Sequence, residues 1–329
     1  MDPEIIAQPF LTWPRLTMGC WALIGDSNWG VQNEADSLEA IEIALQSGVR
    51  AFDTAPLYGN GESEMLLGRA LKSRRADVLI ATKVYGRLTA DTIRQSCEDS
   101  LRRLETDYID LFQVHWPDPQ TPLAETAEVL LQLQNEQKIR AIGVCNFGVR
   151  DLSEAVKVMP VFSNQMAYSL LWRGLEFELL PFCLREGIGI IAYSSLMQGL
   201  LTGKFQNAVD VPAGRARTKH FSSELRGQVR HGLPGHETET FESIKRIKII
   251  CQRAGMPMGI ASLAALLARD GILSVIAGAR NAGQARENAE VLAVRMPEHL
   301  VRELMDATEQ LKRATGHDLD PWAYPSRIH

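Results

Sequence analysis

Short apolar runs alternate with amphipathic helical stretches along almost the whole of this 329-residue chain. Helical spacing is clear where Leu38, Ile41 and Leu45 share one face, whereas the apolar runs have the length that is typical of buried strands. Strands that alternate with helices require a parallel sheet with right-handed crossovers. We predict eight strands, at Met18–Leu23, Arg50–Thr54, Val78–Thr82, Ile109–Val114, Ala141–Cys145, Val161–Gln165, Gly189–Tyr193 and Leu273–Ala277.

Eight strand–helix units favour a closed parallel (β/α)8 barrel, the TIM barrel, with extra helices at the C-terminal end of the chain. A doubly wound open sheet is the competing architecture, because periodicity alone does not separate the two. The length suits a single barrel domain over residues 1–329, and no change of composition marks a boundary. Helices are predicted to start near Asp36 and Thr89, and Gly48 follows the end of the first one.

Composition and charge narrow the class of partner. The net charge of −5 gives no general attraction to nucleic acid or to anionic membranes. No apolar run reaches the roughly 18 residues of a membrane span, and the first ten residues, MDPEIIAQPF, lack the pattern of a signal peptide. The five cysteines contain no CxxC pair, which favours a reducing compartment over a disulfide framework or a zinc site. We expect a cytoplasmic protein with a small-molecule partner, and the sequence leaves its oligomeric state open.

The segment from Asp210 to Glu237 has little periodicity and is rich in basic residues. One interpretation is a solvated loop. The other is a flap that contacts cofactor phosphates, since long irregular loops in compact domains are often functional. Its histidines lack the tight spacing of metal ligands, so we predict no metal site. The basic residues are Arg215, Arg217, Lys219, Arg226 and Arg230, and the histidines are His220, His231 and His236.

Polar side chains stand at the ends of six successive predicted strands. Active sites of (β/α)8 barrels are built where the strands end, at the C-terminal face. This placement is hard to explain by core packing and predicts one shared site. The six residues are Asp53, Lys83, His115, Asn146, Gln165 and Tyr193.

Together with Tyr58, three of these side chains could move a proton onto a carbonyl oxygen. A phenol has a pKa of about 10 and donates protons slowly at neutral pH. A neighbouring ammonium, Lys83, is expected to lower the pKa of Tyr58, and a carboxylate, Asp53, would hold that ammonium in place. Taken singly, Asp53 is also typical of a helix N-cap, Tyr58 and Lys83 of a solvated surface, and His115 of a buried core. Their joint placement favours catalysis.

The same residues lie in stretches that resemble the aldo-keto reductase family. FDTAPLYGNGESEMLLGRAL at Phe52–Leu71, IATKV at Ile80–Val84 and YIDLFQVHWPD at Tyr108–Asp118 look like its motifs, and the resemblance extends from about Leu16 to Leu311. The long loop most resembles bacterial members. The resemblance implies that Tyr58 is the general acid, Lys83 the modulator of its pKa, Asp53 the partner of the lysine and His115 the group that orients the carbonyl.

Further stretches resemble the cofactor-binding segments of that family. They are IRAIGVCNF, which has Cys145 where serine is more usual, SNQMAYSLL, AYSSLMQGLLTGK and AGARNAGQARENAEVL. Loops after the seventh and eighth strands of barrels commonly bind phosphate, which agrees with the last two stretches. The resemblance implies NADPH or NADP+, favoured over NADH because of Arg280 and its neighbours. The implied ligands are Asn146, Gln165, Tyr193, Ser194, Leu196, Gln198, Gly199, Lys204, Gly278, Arg280, Gln284, Glu287 and Asn288.

Aromatic residues near the strand ends are expected to border a substrate pocket. The resemblance places Trp21 beside the nicotinamide, and Tyr85 and Trp116 follow Lys83 and His115 directly, although ordinary packing also explains Trp116. The C-terminal segment 318–329 either crosses the barrel mouth or is disordered.

We therefore expect NADPH-dependent reduction of an aldehyde or ketone to an alcohol, a reversible hydride transfer. Two alternatives stay open at this point. Some members of the family act as cofactor-binding regulatory subunits with slow turnover, and no motif here separates them from free enzymes. A different barrel enzyme, such as an aldolase that uses Lys83 as a Schiff base, would not require the cofactor segments.

Overall fold

Eight parallel strands close into a barrel in a computed structural model that describes residues 12–26, 28–226, 229 and 231–329. Each strand pairs with its neighbours in chain order, and β8 pairs with β1. The predicted (β/α)8 barrel is confirmed, and the open-sheet alternative is wrong. The strands are β1 (Leu16–Gly19), β2 (Ala51–Asp53), β3 (Leu79–Val84), β4 (Ile109–Val114), β5 (Ile139–Cys145), β6 (Ser163–Ala167), β7 (Gly189–Tyr193) and β8 (Ile272–Gly278).

Helices connect the strands, and two more follow at the C-terminal end, as predicted. The first begins after Asn33, whose side chain accepts a hydrogen bond from the Ala35 amide, and the third begins after Thr89. Gly48 has a φ of 92° just after the first helix. The helices are α1 (Glu34–Gln46), α2 (Glu62–Leu71), α3 (Ala90–Arg103), α4 (Leu123–Asn135), α5 (Val149–Val158), α6 (Leu179–Glu186), α7 (Glu237–Ala254), α8 (Met258–Leu267), α9 (Ala282–Ala289), α10 (Glu298–Asp306) and α11 (Glu309–Thr315).

The first strand differs from its prediction. It ends at Gly19, and Trp21–Leu23 form a 3₁₀ turn instead of the second half of a strand. Pairing stops there because Gly19 lies opposite Asp53, the last residue of β2. The turn buries Leu23. A buried turn and a buried strand are both apolar, so apolar content alone does not distinguish them.

The floor of the barrel is filled by a separate apolar cluster that contains Trp13, Ala51, Ala81, Leu111, Ala141 and Ile191. Trp13 donates its indole N–H to the Thr17 hydroxyl at 2.9 Å, so this side chain is anchored inside the barrel. Side chains two residues apart on a strand point to the same side. The positions above Ala51, Ala81 and Leu111 are therefore those of Asp53, Lys83 and Gln113, which form a polar layer above the apolar floor.

Within the described part of the chain, no single helix is long and apolar enough to cross a membrane. Helices α7 and α8 meet the length and composition test only when taken together, and they are bent by 95°. Predictions from the sequence also concern the first ten residues and Arg230. These residues lie outside the described part of the chain.

Candidate active site

The carboxyl ends of the strands open into a cleft of about 810 Å³. Almost all residues predicted to form a site line it, so the structure brings them together. Two do not line it: Lys83 lies fully buried next to the cleft, and Tyr85 is 51% exposed, with its ring 6.0 Å from that of His115. The predicted residues that line the cleft are Trp21, Asp53, Tyr58, His115, Trp116, Asn146, Gln165, Tyr193, Ser194, Leu196, Gln198, Gly199, Lys204, Gly278, Arg280, Gln284, Glu287 and Asn288.

Lys83 is the centre of a buried hydrogen-bonded group. Its ammonium donates to Oδ1 of Asp53 at 2.7 Å and to the Thr54 carbonyl at 2.9 Å, and it lies 3.3 Å from the Tyr58 hydroxyl. The interpretation of Lys83 as a solvated residue is therefore wrong. A buried ammonium needs such partners, because burial without them costs several kcal/mol per ion. Two of its partners, Tyr58 and Asp53, line the cleft.

Two glutamines hold the second oxygen of Asp53. Gln165 donates to Oδ2 at 2.7 Å, and Gln113 lies 3.4 Å from the same atom. The sequence analysis missed Gln113, although a polar residue inside the apolar strand Ile109–Val114 was a usable signal. The carboxylate is thus fixed from both sides, by Lys83 and by these two amides.

Burial dominates the titration of Tyr58. Loss of hydration raises its pKa to about 12, and the nearby Lys83 ammonium offsets only part of that rise. Lys83 therefore acts on this pKa in the expected direction, but the net rise was not predicted, because the sequence showed the neighbouring charge and not the depth of burial. Burial alone would lower the pKa of Lys83, but Asp53 and Tyr58 hold it above its ordinary value.

His115 is held in its neutral form. Burial, with a smaller contribution from the Lys83 charge, lowers its pKa to about 3. Its ring lies 6.4 Å from the ring of Tyr58, at an angle of 85°. None of the described residues offers a hydrogen-bond partner to its buried Nδ1. On the other side of Tyr58, the Trp21 ring is stacked at 5.9 Å.

Asn146 lies where β5 ends, with a φ of 62° that an asparagine tolerates better than most residues. Its amide donates to the His115 carbonyl at 3.1 Å and accepts from the Tyr193 hydroxyl at 2.9 Å. Asn146 therefore connects the ends of β4, β5 and β7. The adjacent Cys145 is buried, and burial raises the pKa of its thiol.

The chain after β7 has an unusual backbone. Ser194, Met197 and Gln198 all have positive φ, which non-glycine residues rarely adopt. At Gly199 a Cβ atom would lie 2.8 Å from Nζ of Lys204, so a side chain there would displace this ammonium. Both amide atoms of Gln198 are buried, and among the described residues neither has a hydrogen-bond partner. Strained backbone and unpaired buried polar atoms are typical of a site shaped for a ligand.

Three cations surround this end of the cleft. Burial lowers the pKa of Lys204, and repulsion from Arg215 and Arg280 lowers it further. Burial and Arg280 also lower the pKa of Arg215. Like charges held together are unfavourable without a compensating anion. This group, which we call the cationic end (Lys204, Arg215 and Arg280), is therefore suited to bind phosphate groups.

Arg280 already has partners in the segment after the first 3₁₀ turn. It donates to the carbonyls of Trp29 at 2.7 Å and Val31 at 2.5 Å and to Oε1 of Gln32 at 2.8 Å. The Gln32 amide donates back to the Arg280 carbonyl at 2.7 Å. We call residues 29–32 the strap, because these bonds tie them to the start of the β8–α9 loop. No sequence pattern predicts this contact.

Only part of the basic segment lines the cleft. Arg215 and Arg217 line the cleft, whereas Lys219 pairs with Asp318 and Arg226 lies 3.5 Å from Glu237. The interpretation as a solvated loop is wrong for much of the segment, because His220 and His231 are buried. Their rings are hydrogen-bonded, His220 to the Leu171 carbonyl and His231 to the Thr218 carbonyl.

The C-terminal segment crosses the mouth of the barrel. Trp322, Ala323 and Arg327 line the cleft. The segment is held by the buried carboxylate of Asp320, which accepts from Nε of Arg327 at 2.7 Å and from Nη2 at 3.0 Å. The ordered alternative for this segment is therefore confirmed, and Arg327 is a cleft residue that the sequence analysis missed.

The cleft suits a nicotinamide dinucleotide. It is roomy enough for a ligand of that class, which typically occupies pockets of about 300–1,000 Å³. The cationic end fits the phosphates, and the unpaired amide of Gln198 adds a donor and an acceptor. Phosphate sites are common after the seventh and eighth strands of a barrel, where these residues lie.

Comparisons with known proteins agree with this arrangement. A model of the aldo/keto reductase family matches residues 15–309. The chain is 32% identical over 328 residues to the NADH-specific methylglyoxal reductase of Escherichia coli (strain K12), which covers 91% of this chain and 97% of that protein.

Solved structures are similar along nearly the whole chain. The glycerol dehydrogenase AKR11B4 from Gluconobacter oxydans has a TM-score of 0.79 and 28% identity, and the match covers 98% of this chain and 99% of that one. An aldo/keto reductase from Klebsiella pneumoniae, in complex with NADP and acetate, has a TM-score of 0.68 and 25% identity, with 96% of this chain and 95% of that one covered.

Proposed function

Because the chain belongs to the aldo/keto reductase family, and is an NAD(P)H-dependent oxidoreductase acting on carbonyl groups, we propose that it reduces a small aldehyde or ketone with NADPH and that Tyr58 is the proton donor. The observation that carries the proposal is the contact of the Tyr58 hydroxyl with the buried Lys83–Asp53 pair, at the bottom of an open cleft. A donor, a charge that stabilises its anion and space for a substrate occur together there.

The chemistry divides between cofactor and protein. A reduced nicotinamide, when bound, would supply the hydride for the new C–H bond at the carbonyl carbon. Tyr58 gives its proton to the carbonyl oxygen, where an O–H bond replaces the C=O π bond, and an alcohol results. The phenolate left on Tyr58 is stabilised by Lys83 until solvent returns a proton. A pKa of about 12 keeps Tyr58 protonated at neutral pH but makes it a weak acid, so the transfer depends on stabilisation of the phenolate by Lys83.

His115 and Trp21 fix the position of the carbonyl in this proposal. A neutral imidazole can donate a hydrogen bond to the carbonyl oxygen without repelling Lys83, and the low pKa of His115 keeps it neutral. Trp21, stacked near Tyr58, covers the other side and excludes water. Exclusion of water strengthens the electrostatic interactions of the reacting group.

The cofactor would lie between these groups and the cationic end. Asn146, Gln165 and Tyr193 would hold the nicotinamide. Arg215, from the basic segment, would close one side as a flap. The pyrophosphate would meet Ser194, Leu196, Gln198, Gly199 and Lys204, and the adenosine with its 2′-phosphate would meet Gly278, Arg280, Gln284, Glu287 and Asn288.

We favour NADPH over NADH because three cations converge without an equal number of carboxylates. Of the residues that line the cleft there, Glu287 is the acidic one. The E. coli relative is named as NADH-specific, while the Klebsiella protein was solved with NADP, so family membership leaves the preference open. In this proposal the preference for NADPH over NADH therefore depends on Arg280.

Arg280→Ala is expected to raise the Kd for NADPH by about tenfold or more, the size of a lost charge-assisted hydrogen bond. The Kd for NADH, which lacks the 2′-phosphate, is expected to change much less. Quenching of protein fluorescence by each cofactor measures both constants. Gln32→Ala, which loosens the strap without removing a charge, is the control. Equal weakening of both cofactors by Arg280→Ala would mean that Arg280 acts only by anchoring the strap.

The pH dependence of reduction follows from the two shifted pKa values. Between about 3 and about 12, the pKa values of His115 and Tyr58, neither side chain changes its charge. We therefore expect kcat for reduction to show no titration of either residue within that range. Initial rates at saturating NADPH and substrate test this. A step near the ordinary histidine pKa of about 6.5 that disappears in His115→Gln would contradict the assignment.

Consumption of NADPH by the purified protein with a panel of small aldehydes and ketones tests the proposed function. Turnover with at least some members of the panel is the expected result. Tight NADPH binding without turnover would instead favour a cofactor-binding sensor. Trapping of a Schiff base on Lys83 with borohydride would favour the aldolase alternative.

A further inference from the structure

The cleft carries two guanidinium groups away from the cationic end that hydride transfer does not use. They lie among three indole rings, close to Tyr58 and His115. We call this part of the cleft the substrate wall, and it consists of Trp21, Trp116, Trp322, Arg217 and Arg327.

Arg327 is held rigidly against the wall. Its guanidinium lies 4.0 Å from the centre of the Trp116 ring, next to His115 in sequence, and pairs with Asp320 through Nε and Nη2. Asp320 is itself fully buried, so it does not face the cleft. Because about half of the Arg327 side chain is exposed and it lines the cleft, its remaining N–H groups are available to a ligand.

Arg217 also lines the cleft and lies near two other rings of the wall. Its guanidinium is 5.3 Å from the centre of the Trp322 ring and 6.0 Å from that of Trp21. Trp21 in turn stacks on Tyr58. Nε of Arg217 donates to the Gly214 carbonyl at 2.6 Å, which fixes the direction of the side chain. Arg217 is thus separated from Tyr58 by one aromatic ring.

Cationic side chains line both parts of the cleft. Among the described residues that line it, Lys204, Arg215 and Arg280 form the cationic end, and Arg217 and Arg327 lie on the substrate wall. Asp320 balances the charge of Arg327, so the wall is distinguished by its guanidinium donors and not by an excess of charge. A dinucleotide would bring its phosphates to the cationic end and would leave these donors to the substrate.

We propose that the substrate is a carbonyl compound with a flat apolar body and an oxyanion group, a carboxylate or a phosphate ester, which Arg217 and Arg327 bind. Guanidinium groups match both oxyanions through paired hydrogen bonds. The three indoles cover the body of the substrate. This inference deepens the proposed reductase function and rests on it.

Matched aromatic aldehydes test the substrate class. The selectivity ratio is kcat/KM for 4-carboxybenzaldehyde divided by kcat/KM for benzaldehyde, and 4-formylphenyl phosphate gives a second ratio. At least one ratio is expected to be about ten or more, the tenfold factor of one charge-assisted hydrogen bond. The larger of the two ratios identifies the oxyanion that the protein prefers. Added salt should lower that ratio, because the arginines are partly exposed. Two ratios near or below one would overturn the inference.

Variants test whether the arginines of the substrate wall cause this selectivity ratio. Arg217→Met is expected to lower the larger ratio about tenfold. Arg327→Met alone would leave Asp320 buried and unpaired, so the double variant Arg327→Met/Asp320→Asn is used, and Arg327→Lys retains the charge. Arg302→Met, on the exposed face of α10, controls for net charge. Unchanged ratios in Arg217→Met and in the double variant would overturn the inference.

The proposed function and the inference can fail separately. Reduction of benzaldehyde that depends on Tyr58, without preference for either anion, refutes the inference alone. If no aldehyde is turned over, calorimetry on the NADP+-loaded protein decides the anion site. Benzoate should then bind more tightly than the isosteric benzamide, and Arg217→Met should abolish the difference. Equal binding of the two compounds would overturn the inference.

Discussion

Tyr58→Phe is expected to lower kcat for carbonyl reduction by about 10²- to 10⁴-fold, the usual contribution of a general acid. The ring and its stacking on Trp21 remain, so NADPH should bind with an unchanged Kd. Only the hydroxyl that contacts Lys83 is removed. Rates of NADPH oxidation and fluorescence titration with NADPH, both on the purified variant, measure the two quantities.

Tyr108→Phe is the matched control, because it removes a phenol hydroxyl beside the N-terminal end of β4, far from the cleft. The Tyr108 ring packs under Arg75 and Arg140, and phenylalanine retains that contact. This variant should turn over at the wild-type rate. Full activity in Tyr58→Phe would show that another group delivers the proton.

Lys83→Met is expected to lower the free energy of unfolding by about 3–5 kcal/mol, because it leaves the Asp53 carboxylate buried without its partner. Catalysis should suffer as well. Lys83 is the strongest of the groups that lower the pKa of Tyr58, so its removal raises that pKa further. Oxidation of an alcohol with NADP+ requires the phenolate to accept a proton, and it should therefore lose more rate than reduction does.

The double variant Lys83→Met/Asp53→Asn separates the two effects. Removal of both charges should restore most of the stability in denaturant unfolding, since no unpaired buried charge remains. It should restore none of the activity. If Lys83→Met were as stable as the wild type, the buried pair would have no role in folding. Equal losses in both reaction directions would argue against its effect on the Tyr58 phenolate.

The sequence predicted the arrangement of the site better than its electrostatics. Asp53, His115 and Asn146 could be placed because each stands where an apolar run ends, and barrels collect such residues at one face. The net titration of Tyr58 could not be predicted in the same way. Its direction depends on how much water the folded cleft excludes, and that is a property of distant segments packed together.

Contacts between remote parts of the chain were also beyond the sequence. Arg280 meets the strap across roughly 250 positions, and Arg327 meets Trp116 across the mouth. No local pattern marks either partnership. The end of the first strand was mispredicted for a related reason. The apolar side chain of Leu23 packs a 3₁₀ turn, and not a strand, into the core.

The apolar floor of the barrel has a consequence for how this protein can be altered. Trp13 and the residues around it fill the barrel beneath the polar layer, so the cleft has a base that does not depend on the loops above. In barrels of this kind the face that carries chemistry and the face that carries stability are separate. Substitutions in the loops that line the cleft should therefore change the substrate range without disturbing the floor, whereas the Lys83–Asp53 pair contributes to both stability and catalysis.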